Sequence, residues 1–179
     1  ASEEDPKFEF YTSRLGIGYK NIIPYYKNQI KNNDKVELKM LHFFINTGIQ
    51  DQSYYWNELM KCMKVYVELK KICPSLEYLN IGGGFPIKTS LGFEYDYAYM
   101  AYEIIGQIKS ACTLSQVDEP HIFTEFGSFT VGESGGAIYQ VLYQKQQNDR
   151  EKWNMINSSF ITTLPDSWAI NKRYVMLPI

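Results

Sequence analysis

Apolar residues along this chain alternate between helical spacing and short continuous runs. Helical spacing predicts three helices, at residues 19–32, 53–73 and 96–112. An apolar run follows each helix and predicts a strand: Val36–Ile45, Leu76–Ile81 and His121–Glu125. Helices that alternate with buried strands are typical of an α/β fold with a parallel sheet.

The longest predicted helix, 53–73, shows the clearest apolar stripe. Asp51 or Ser53 is placed to cap its start, and Pro74 prevents its continuation. The stripe consists of Trp56, Leu59, Met60, Met63, Val67 and Leu69. We expect this stripe to pack against the sheet.

The pattern changes beyond residue 131, where glycines are followed by a strand-like run at 137–143 and a polar run at 144–152. We interpret this change as a domain boundary, with one domain at 1–131 and the start of a second at 132–179. The sequence opens without methionine and closes on an apolar, strand-like run. We therefore expect both ends to be cuts in a longer protein.

Polar or glycine-rich residues follow all three predicted strands. These segments are Asn46-Thr47-Gly48, Gly82-Gly83-Gly84 and Glu125-Phe126-Gly127-Ser128. Functional loops of α/β folds lie at the carboxyl ends of the strands, so the coincidence predicts a site there. Three strands are too few to close a (β/α)8 barrel, which leaves half of such a barrel or a small open sheet.

Each of these segments suggests a chemistry and has a simpler alternative. The glycines Gly82–Gly84 could present backbone N–H groups to a phosphate, with the Thr47 hydroxyl as a further donor, or form a plain turn. Glu125 could hold a protonated ring nitrogen, or be a surface or capping residue. Gly127 and Ser128 would add a backbone and a hydroxyl donor beside it.

Two aromatic side chains precede the first of these segments. His42 and Phe44 are two residues apart, so both face the same side of the predicted strand. His42 is either a core histidine or part of the site. No lysine is well placed to form a Schiff base.

Composition excludes several classes of protein. The net charge is −2, and no basic cluster indicates nucleic-acid binding. Neither a signal-peptide pattern nor an apolar run long enough for a bilayer is visible. The three cysteines, Cys62, Cys73 and Cys112, have no metal or redox spacing, which suits reduced thiols in the cytoplasm.

Five segments resemble the fold-type III pyridoxal-phosphate decarboxylases, the group that includes ornithine, diaminopimelate and biosynthetic arginine decarboxylases. Leu79–Pro86 (LNIGGGFP) is similar to their phosphate-binding glycine loop, and Leu41–Gly48 to the strand before it. Glu125–Ser128 is similar to their EPGR or ESGR segment, and Ser13–Gly16 to a basic-apolar-glycine element. Leu164–Ile170 resembles the arginine branch in particular.

The resemblance implies the C-terminal half of an alanine-racemase-like (β/α)8 TIM barrel that runs into the start of a β-domain. It also implies pyridoxal 5′-phosphate as cofactor and assigns residues to it. The implied cofactor-binding residues are His42, Phe44, Thr47, Gly82, Gly83, Gly84, Glu125, Phe126, Gly127 and Ser128. Glu125 would bind the pyridine nitrogen, Phe44 would stack on the ring, and most of the others would surround the phosphate.

The activity implied for the parent protein is conversion of L-arginine to agmatine and CO2 through an aldimine, in polyamine biosynthesis. The Schiff-base lysine and a Cys-Asp element are expected outside this chain, so the chain alone should be inactive. The resemblance further implies a cytoplasmic homodimer or higher oligomer without membrane or nucleic-acid partners. Magnesium is expected for the parent enzyme, although the sequence shows no ligand cluster for it.

Two residues depart from the family pattern. Phe44 replaces the ring-stacking histidine, and Ser128 replaces an arginine that contacts the phosphate. These changes leave open a non-catalytic or divergent homologue of the same fold, or a decarboxylase of another basic amino acid. An unrelated nucleotide-binding domain is disfavoured because the glycines are contiguous, unlike G-x-G-x-x-G.

Overall fold

The computed structural model describes residues 15–45 and 52–179 and divides into two compact units. Unit 1 comprises the residues up to Gly84 together with Tyr97–Glu125. Unit 2 comprises Phe85–Asp96 together with Phe126–Ile179. The domain boundary predicted at residue 131 concerns the whole protein and stays a prediction.

Unit 1 is an α/β unit with a three-stranded parallel sheet in the order β1-β2-β3. Its helical elements are α1 (Tyr19–Tyr25), a π-helical segment (Tyr26–Ile30), α2 (Gln52–Ile72) and α3 (Tyr97–Ser115). Its strands are β1 (Met40–His42), β2 (Tyr78–Asn80) and β3 (His121–Phe123). Helices α2 and α3 connect successive strands, as parallel pairing requires. The predicted element order is confirmed.

The core of unit 1 lies between the sheet and its helices. Leu41 and Leu79 are paired in register at the middle of β1 and β2, and both are buried. The side chains before and after them are more exposed, because successive side chains of a strand point to opposite faces. The fully buried residues of α2 and α3 are Tyr55, Leu59, Met63, Tyr66, Leu69, Met100, Ile108 and Cys112. One face of the sheet therefore packs on helices.

The buried face of α2 is rotated from the predicted stripe. Met60 is 47% exposed, whereas Tyr55 and Tyr66 are fully buried. The helix boundaries were predicted within one residue. The predicted buried face of α2 was wrong in part because tyrosine is amphipathic. The spacing of tyrosines along a helix therefore does not reveal whether they face the core or the solvent.

The strands are shorter than the apolar runs that predicted them. Regular pairing covers three residues in each strand, although Val36–Ile45 and Leu76–Ile81 were predicted in full. An apolar residue belongs to a strand only where its backbone is hydrogen-bonded to a neighbouring strand. Beyond Met40–His42, the first run is bonded to β2 at its two flanks. The Phe43 N–H donates to the Asn80 carbonyl at 2.9 Å, and the Lys39 carbonyl accepts from the Tyr78 N–H at 3.0 Å.

Unit 2 contains an antiparallel hairpin and three short helices. The hairpin pairs β4 (Val141–Gln146) with β5 (Lys152–Ile156), and the helices are α4 (Gly127–Val131), α5 (Phe160–Thr163) and α6 (Pro165–Ala169). The run predicted as a strand at 137–143 starts later, and the polar run at 144–152 forms much of the hairpin. Asn148 Oδ1 accepts from the N–H groups of Arg150 and Glu151 and stabilises the turn. The apolar terminal run 174–179 forms no strand.

The three cysteines are free and buried. Burial raises the pKa of the Cys62 thiol to about 12 and also raises the pKa of Cys112. Such thiols remain protonated near neutral pH and behave as small apolar core residues.

The Tyr66 hydroxyl is a polar group in the apolar core of unit 1. The side chain is fully buried, and its hydroxyl has no hydrogen-bond partner among the described residues. Burial raises the pKa of Tyr66 to about 12, so the phenol stays neutral. A buried hydroxyl without a partner has lost its hydration without compensation.

We expect Tyr66→Phe to raise the free energy of unfolding by about 1 kcal/mol, because it removes a desolvated hydroxyl and keeps the ring. Chemical denaturation of both proteins measures the difference. Leu59→Ala serves as a comparison, since truncation of this fully buried side chain should lower the free energy of unfolding by about 2–5 kcal/mol. A lower stability of Tyr66→Phe would mean that the hydroxyl has a partner and would contradict this prediction.

Candidate functional site

The carboxyl ends of the three strands lie side by side in unit 1. His42, Asn80 and Phe123 form one row of the parallel register. The ladder between the second and third strands continues beyond this row, since the Glu125 N–H donates to the Gly82 carbonyl at 2.9 Å. The predicted convergence of strand ends is confirmed for the part of unit 1 that the structure describes.

The glycine turn Gly82–Gly84 is dictated by close approach and by backbone conformation. Gly82 and Gly84 have φ of +69° and +103°, a region that residues with a Cβ rarely adopt. A Cβ on Gly82 would lie 2.9 Å from the Phe43 carbonyl oxygen. A Cβ on Gly83 would lie 2.8 Å from the Glu125 carbonyl oxygen. Each of the three glycines is therefore required for a structural reason.

The N–H groups of this turn have different roles. Gly82 N–H donates to Oδ1 of Asn80 at 2.9 Å, so it is already engaged. Among the described residues, no acceptor is recorded for the N–H groups of Gly83 and Gly84. Adjacent backbone N–H groups with no other partner can converge on an anion. Gly83 and Gly84 are thus better placed than Gly82 to bind a phosphate through their N–H groups.

The Glu125 side chain stands beside this turn. Its Oε1 accepts a hydrogen bond from Nδ2 of Asn80 at 2.9 Å and lies 3.7 Å from Nε2 of His42. Glu125 and His42 are each about half exposed. His42 is therefore not a core histidine; it contributes to a polar cluster at the end of the sheet.

Asn80 belongs to this cluster, and the sequence analysis did not identify it. The signal was available, because strand alternation puts Asn80 on the same face as Gly82, two residues later. An amide inside a predicted buried strand is also unusual. What could not be read from the sequence is its contact with Glu125, which is 45 residues away.

Phe44 lies against the glycine turn. Its Cδ2 atom would be 3.1 Å from a Cβ placed on Gly82, and the side chain is 59% exposed. An exposed aromatic face beside the turn can stack on a flat ring. The structure therefore places Phe44, the turn and Glu125 at the same edge of unit 1.

The remaining predicted residues do not belong to the described part of unit 1. Thr47 lies outside the described residues. Phe126, Gly127 and Ser128 belong to unit 2, where Gly127 begins α4 and Phe126 stacks on Phe85 with ring centroids 3.9 Å apart. Their role in the site stays a prediction.

A cleft of about 1300 Å³ opens in unit 1 next to the cluster. His42, Phe44 and Glu125 line it together with mostly apolar residues of α1, the π-helical segment and α2, and α2 also contributes the charged pair Glu58 and Lys61. Pockets for small molecules typically measure about 300–1,000 Å³, so the cleft has room for a substantial ligand.

These residues fit a flat, protonated heterocycle that carries a phosphate. Gly83 and Gly84 offer N–H donors that have no acceptor among the described residues, Glu125 offers an anionic acceptor, and Phe44 offers an aromatic surface. They do not fit a metal: among the described residues, no group of three or more His, Cys, Asp or Glu side chains could hold an ion. No helix in the described part of the chain is long and apolar enough to cross a membrane.

Comparison with known proteins agrees with this chemistry. Residues 7–132 match the family described as "Pyridoxal-dependent decarboxylase, pyridoxal binding domain". The chain is 28% identical over 178 residues to the biosynthetic arginine decarboxylase of Prochlorococcus marinus (strain MIT 9215), covering 92% of this chain. The match spans 28% of that relative, so the chain corresponds to less than a third of its length.

Solved structures show the same fold. Diaminopimelate decarboxylase from Helicobacter pylori superposes with a TM-score of 0.73 at 23% identity, covering 91% of this chain and 39% of that one. Lysine decarboxylase from Selenomonas ruminantium gives a TM-score of 0.72 at 17% identity, covering 90% and 40%. Because the family match covers more than half of the sequence, the chain belongs to the pyridoxal-dependent decarboxylases, within their pyridoxal-binding domain.

Proposed function

We propose that this chain forms part of the pyridoxal 5′-phosphate site of a decarboxylase that converts L-arginine to agmatine and CO2 in polyamine biosynthesis. The observation that carries the proposal is the cluster at one edge of unit 1. There, Glu125 lies beside the glycine turn, in which the N–H groups of Gly83 and Gly84 have no acceptor among the described residues. The relatives named biosynthetic arginine decarboxylase support arginine as the substrate.

In this proposal the site residues bind and orient the cofactor. Gly83 and Gly84 donate their N–H groups to the phosphate, with Thr47, Gly127 and Ser128 as further donors. Glu125 accepts a hydrogen bond from the ring nitrogen and keeps it protonated. Bound pyridoxal phosphate supplies an electron sink for the electron pair that remains when the substrate loses CO2.

Phe44 and His42 border the ring in this proposal. Phe44 packs on one ring face and excludes water from it, as an aromatic surface can without a charge. His42 Nε2 lies 3.7 Å from Oε1 of Glu125 and borders the ring on that side. Phe126, the residue after Glu125, is assigned to the cofactor only through the family resemblance.

For the parent protein, we propose an alanine-racemase-like (β/α)8 barrel whose C-terminal half includes residues 1–131. A β-domain would start within 132–179. Three parallel strands linked by helices support the barrel, because such units repeat around it. We also propose a cytoplasmic homo-oligomer whose Schiff-base lysine and Cys-Asp element lie outside this chain. A magnesium requirement stays a prediction.

Gly83→Ala should weaken binding of pyridoxal phosphate by roughly tenfold or more, because the new Cβ would collide with the Glu125 carbonyl oxygen and displace a strand end. Fluorescence titration of the 179-residue chain with the cofactor measures the dissociation constant. Gly106→Ala is the matched control in unit 1, since its Cβ would meet nothing within 4 Å. Equal affinities of Gly83→Ala and the unaltered chain would contradict the assigned turn.

The parent protein should release CO2 from L-arginine faster than from L-ornithine or L-lysine, and the 179-residue chain alone should release none. Trapping of CO2 from carboxyl-labelled substrates measures both. The chain should nevertheless bind pyridoxal phosphate more tightly than pyridoxal, which lacks the phosphate. Absence of cofactor binding and of turnover in the parent protein would overturn the proposed function, whereas turnover of another amino acid would overturn only the choice of arginine.

A non-catalytic homologue is the second candidate, and the departures Phe44 and Ser128 favour it. Replacing an arginine by serine removes a charge-assisted contact with phosphate. If these departures weaken the site, Phe44→His combined with Ser128→Arg should raise cofactor affinity about tenfold or more. Titration of the single and double variants of the parent protein checks this. An unchanged affinity together with arginine turnover would mean that other residues compensate.

A further inference from the structure

We propose that Asn80 is a positioning residue of the cofactor site, whose side-chain amide sets the distance between the Glu125 carboxylate and the glycine turn. The inference rests on the proposed pyridoxal-phosphate site and deepens it. In that site the phosphate of the cofactor binds at the glycine turn and its ring nitrogen binds at Glu125, and Asn80 contacts both places.

The observation is one amide that bonds to both parts of the site. Asn80 Oδ1 accepts from the N–H of Gly82, and Asn80 Nδ2 donates to Oε1 of Glu125, each at 2.9 Å. The amide can be oriented in only one way. A backbone N–H requires an oxygen opposite it, and a carboxylate requires a donor.

The bond to Gly82 shapes the turn. An asparagine side chain that accepts from the N–H two residues later closes a small ring and stabilises a local turn. Gly82, whose N–H closes this ring, has a φ of +69°. Its N–H is bonded to Asn80 and is therefore not available to a ligand. The chain then continues to Gly83 and Gly84, whose N–H groups have no acceptor among the described residues. Asn80 thereby determines which N–H groups face an anion.

The bond to Glu125 orients a carboxylate that is otherwise half exposed. Both recorded side-chain contacts of Glu125 fall on Oε1, since Asn80 donates to this atom and His42 lies 3.7 Å from it. Among the described residues, no hydrogen bond to Oε2 is recorded. The second oxygen is therefore available to a ring N–H, and Asn80 prevents the carboxylate from rotating away.

An amide at this position does what a carboxylate of the same shape cannot do. Aspartate at residue 80 could still accept from the Gly82 N–H. It would, however, place a second negative charge 2.9 Å from Glu125 and remove the donor. The variant Asn80→Asp thus separates the two functions of the residue, whereas Asn80→Ala removes both.

The experiment measures dissociation constants of two probes with the 179-residue chain. The probes are pyridoxal 5′-phosphate and its analogue with a C–H in place of the ring nitrogen, which keeps the phosphate but cannot bond to Glu125. Asn80→Asp should raise the dissociation constant of pyridoxal phosphate about tenfold and change that of the analogue by no more than about threefold. The chain should then no longer bind pyridoxal phosphate more tightly than the analogue. Asn80→Ala should weaken both probes.

Two further variants complete the test. Glu125→Gln should also abolish the preference, and adding Asn80→Asp to it should produce little additional loss, because both changes act through the same hydrogen bond. Asn154→Ala is the matched control. It removes an amide that accepts from Gln144 Nε2 at 2.9 Å in the hairpin of unit 2 and should change neither dissociation constant.

Several outcomes would overturn the inference. If Asn80→Asp weakened both probes equally while its circular dichroism spectrum stayed unchanged, Asn80 would be a general structural residue. If it weakened neither, the amide would have no role in positioning. Failure of the unaltered chain and the parent protein to bind pyridoxal phosphate would instead refute the proposed function, so the two failures are distinguishable. Should Asn80→Ala fail to fold, Asn80→Asp still decides, since it keeps the bond to Gly82.

Discussion

The close approach of two strand ends is the constraint on which the rest of the site depends. At Gly83 the backbone passes so near the Glu125 carbonyl oxygen that a single Cβ would lie 2.8 Å from it. The same approach brings the Glu125 N–H into a hydrogen bond with the Gly82 carbonyl. Because the two backbones are bonded to each other, an acidic side chain and a turn with spare N–H donors stand side by side. A ligand with an anion at one end and a protonated nitrogen at the other fits this arrangement.

The sheet maintains this approach through its packing on the helices. Leu41 and Leu79 anchor the first two strands on the helical side, where Leu59 and Ile108 are also buried. The opposite face carries the more exposed and polar side chains of the same strands. Because side chains alternate along each strand, one face of the sheet packs in the core and stabilises the fold, and the other face carries the polar residues of the candidate site.

Some of the fold was readable because it depends on local patterns. The boundaries of α2 followed from spacing and from Pro74, and the order of helices and strands indicated a parallel sheet. The extent of the strands was overestimated, since an apolar run such as Val36–Ile45 reveals burial but not which of its residues find a bonding neighbour. The buried face of α2 was predicted wrongly in part for a related reason, because a tyrosine such as Tyr55 can pack in the core or face water.

The sequence by itself determined the chemical inventory of the site: a glycine turn, a carboxylate and aromatic side chains, each at the end of an apolar run. Contiguous glycines and a strand-terminal glutamate are visible locally, so no fold was needed to identify Gly83 or Glu125 as candidates. Only the tertiary structure decided that Gly82 N–H is already bonded and that Asn80 joins the turn to Glu125. The physical reason is that a hydrogen bond forms only when donor and acceptor lie within about 3 Å of each other. Asn80 and Glu125 are 45 residues apart in the sequence, and the pairing of their strands brings them within that distance.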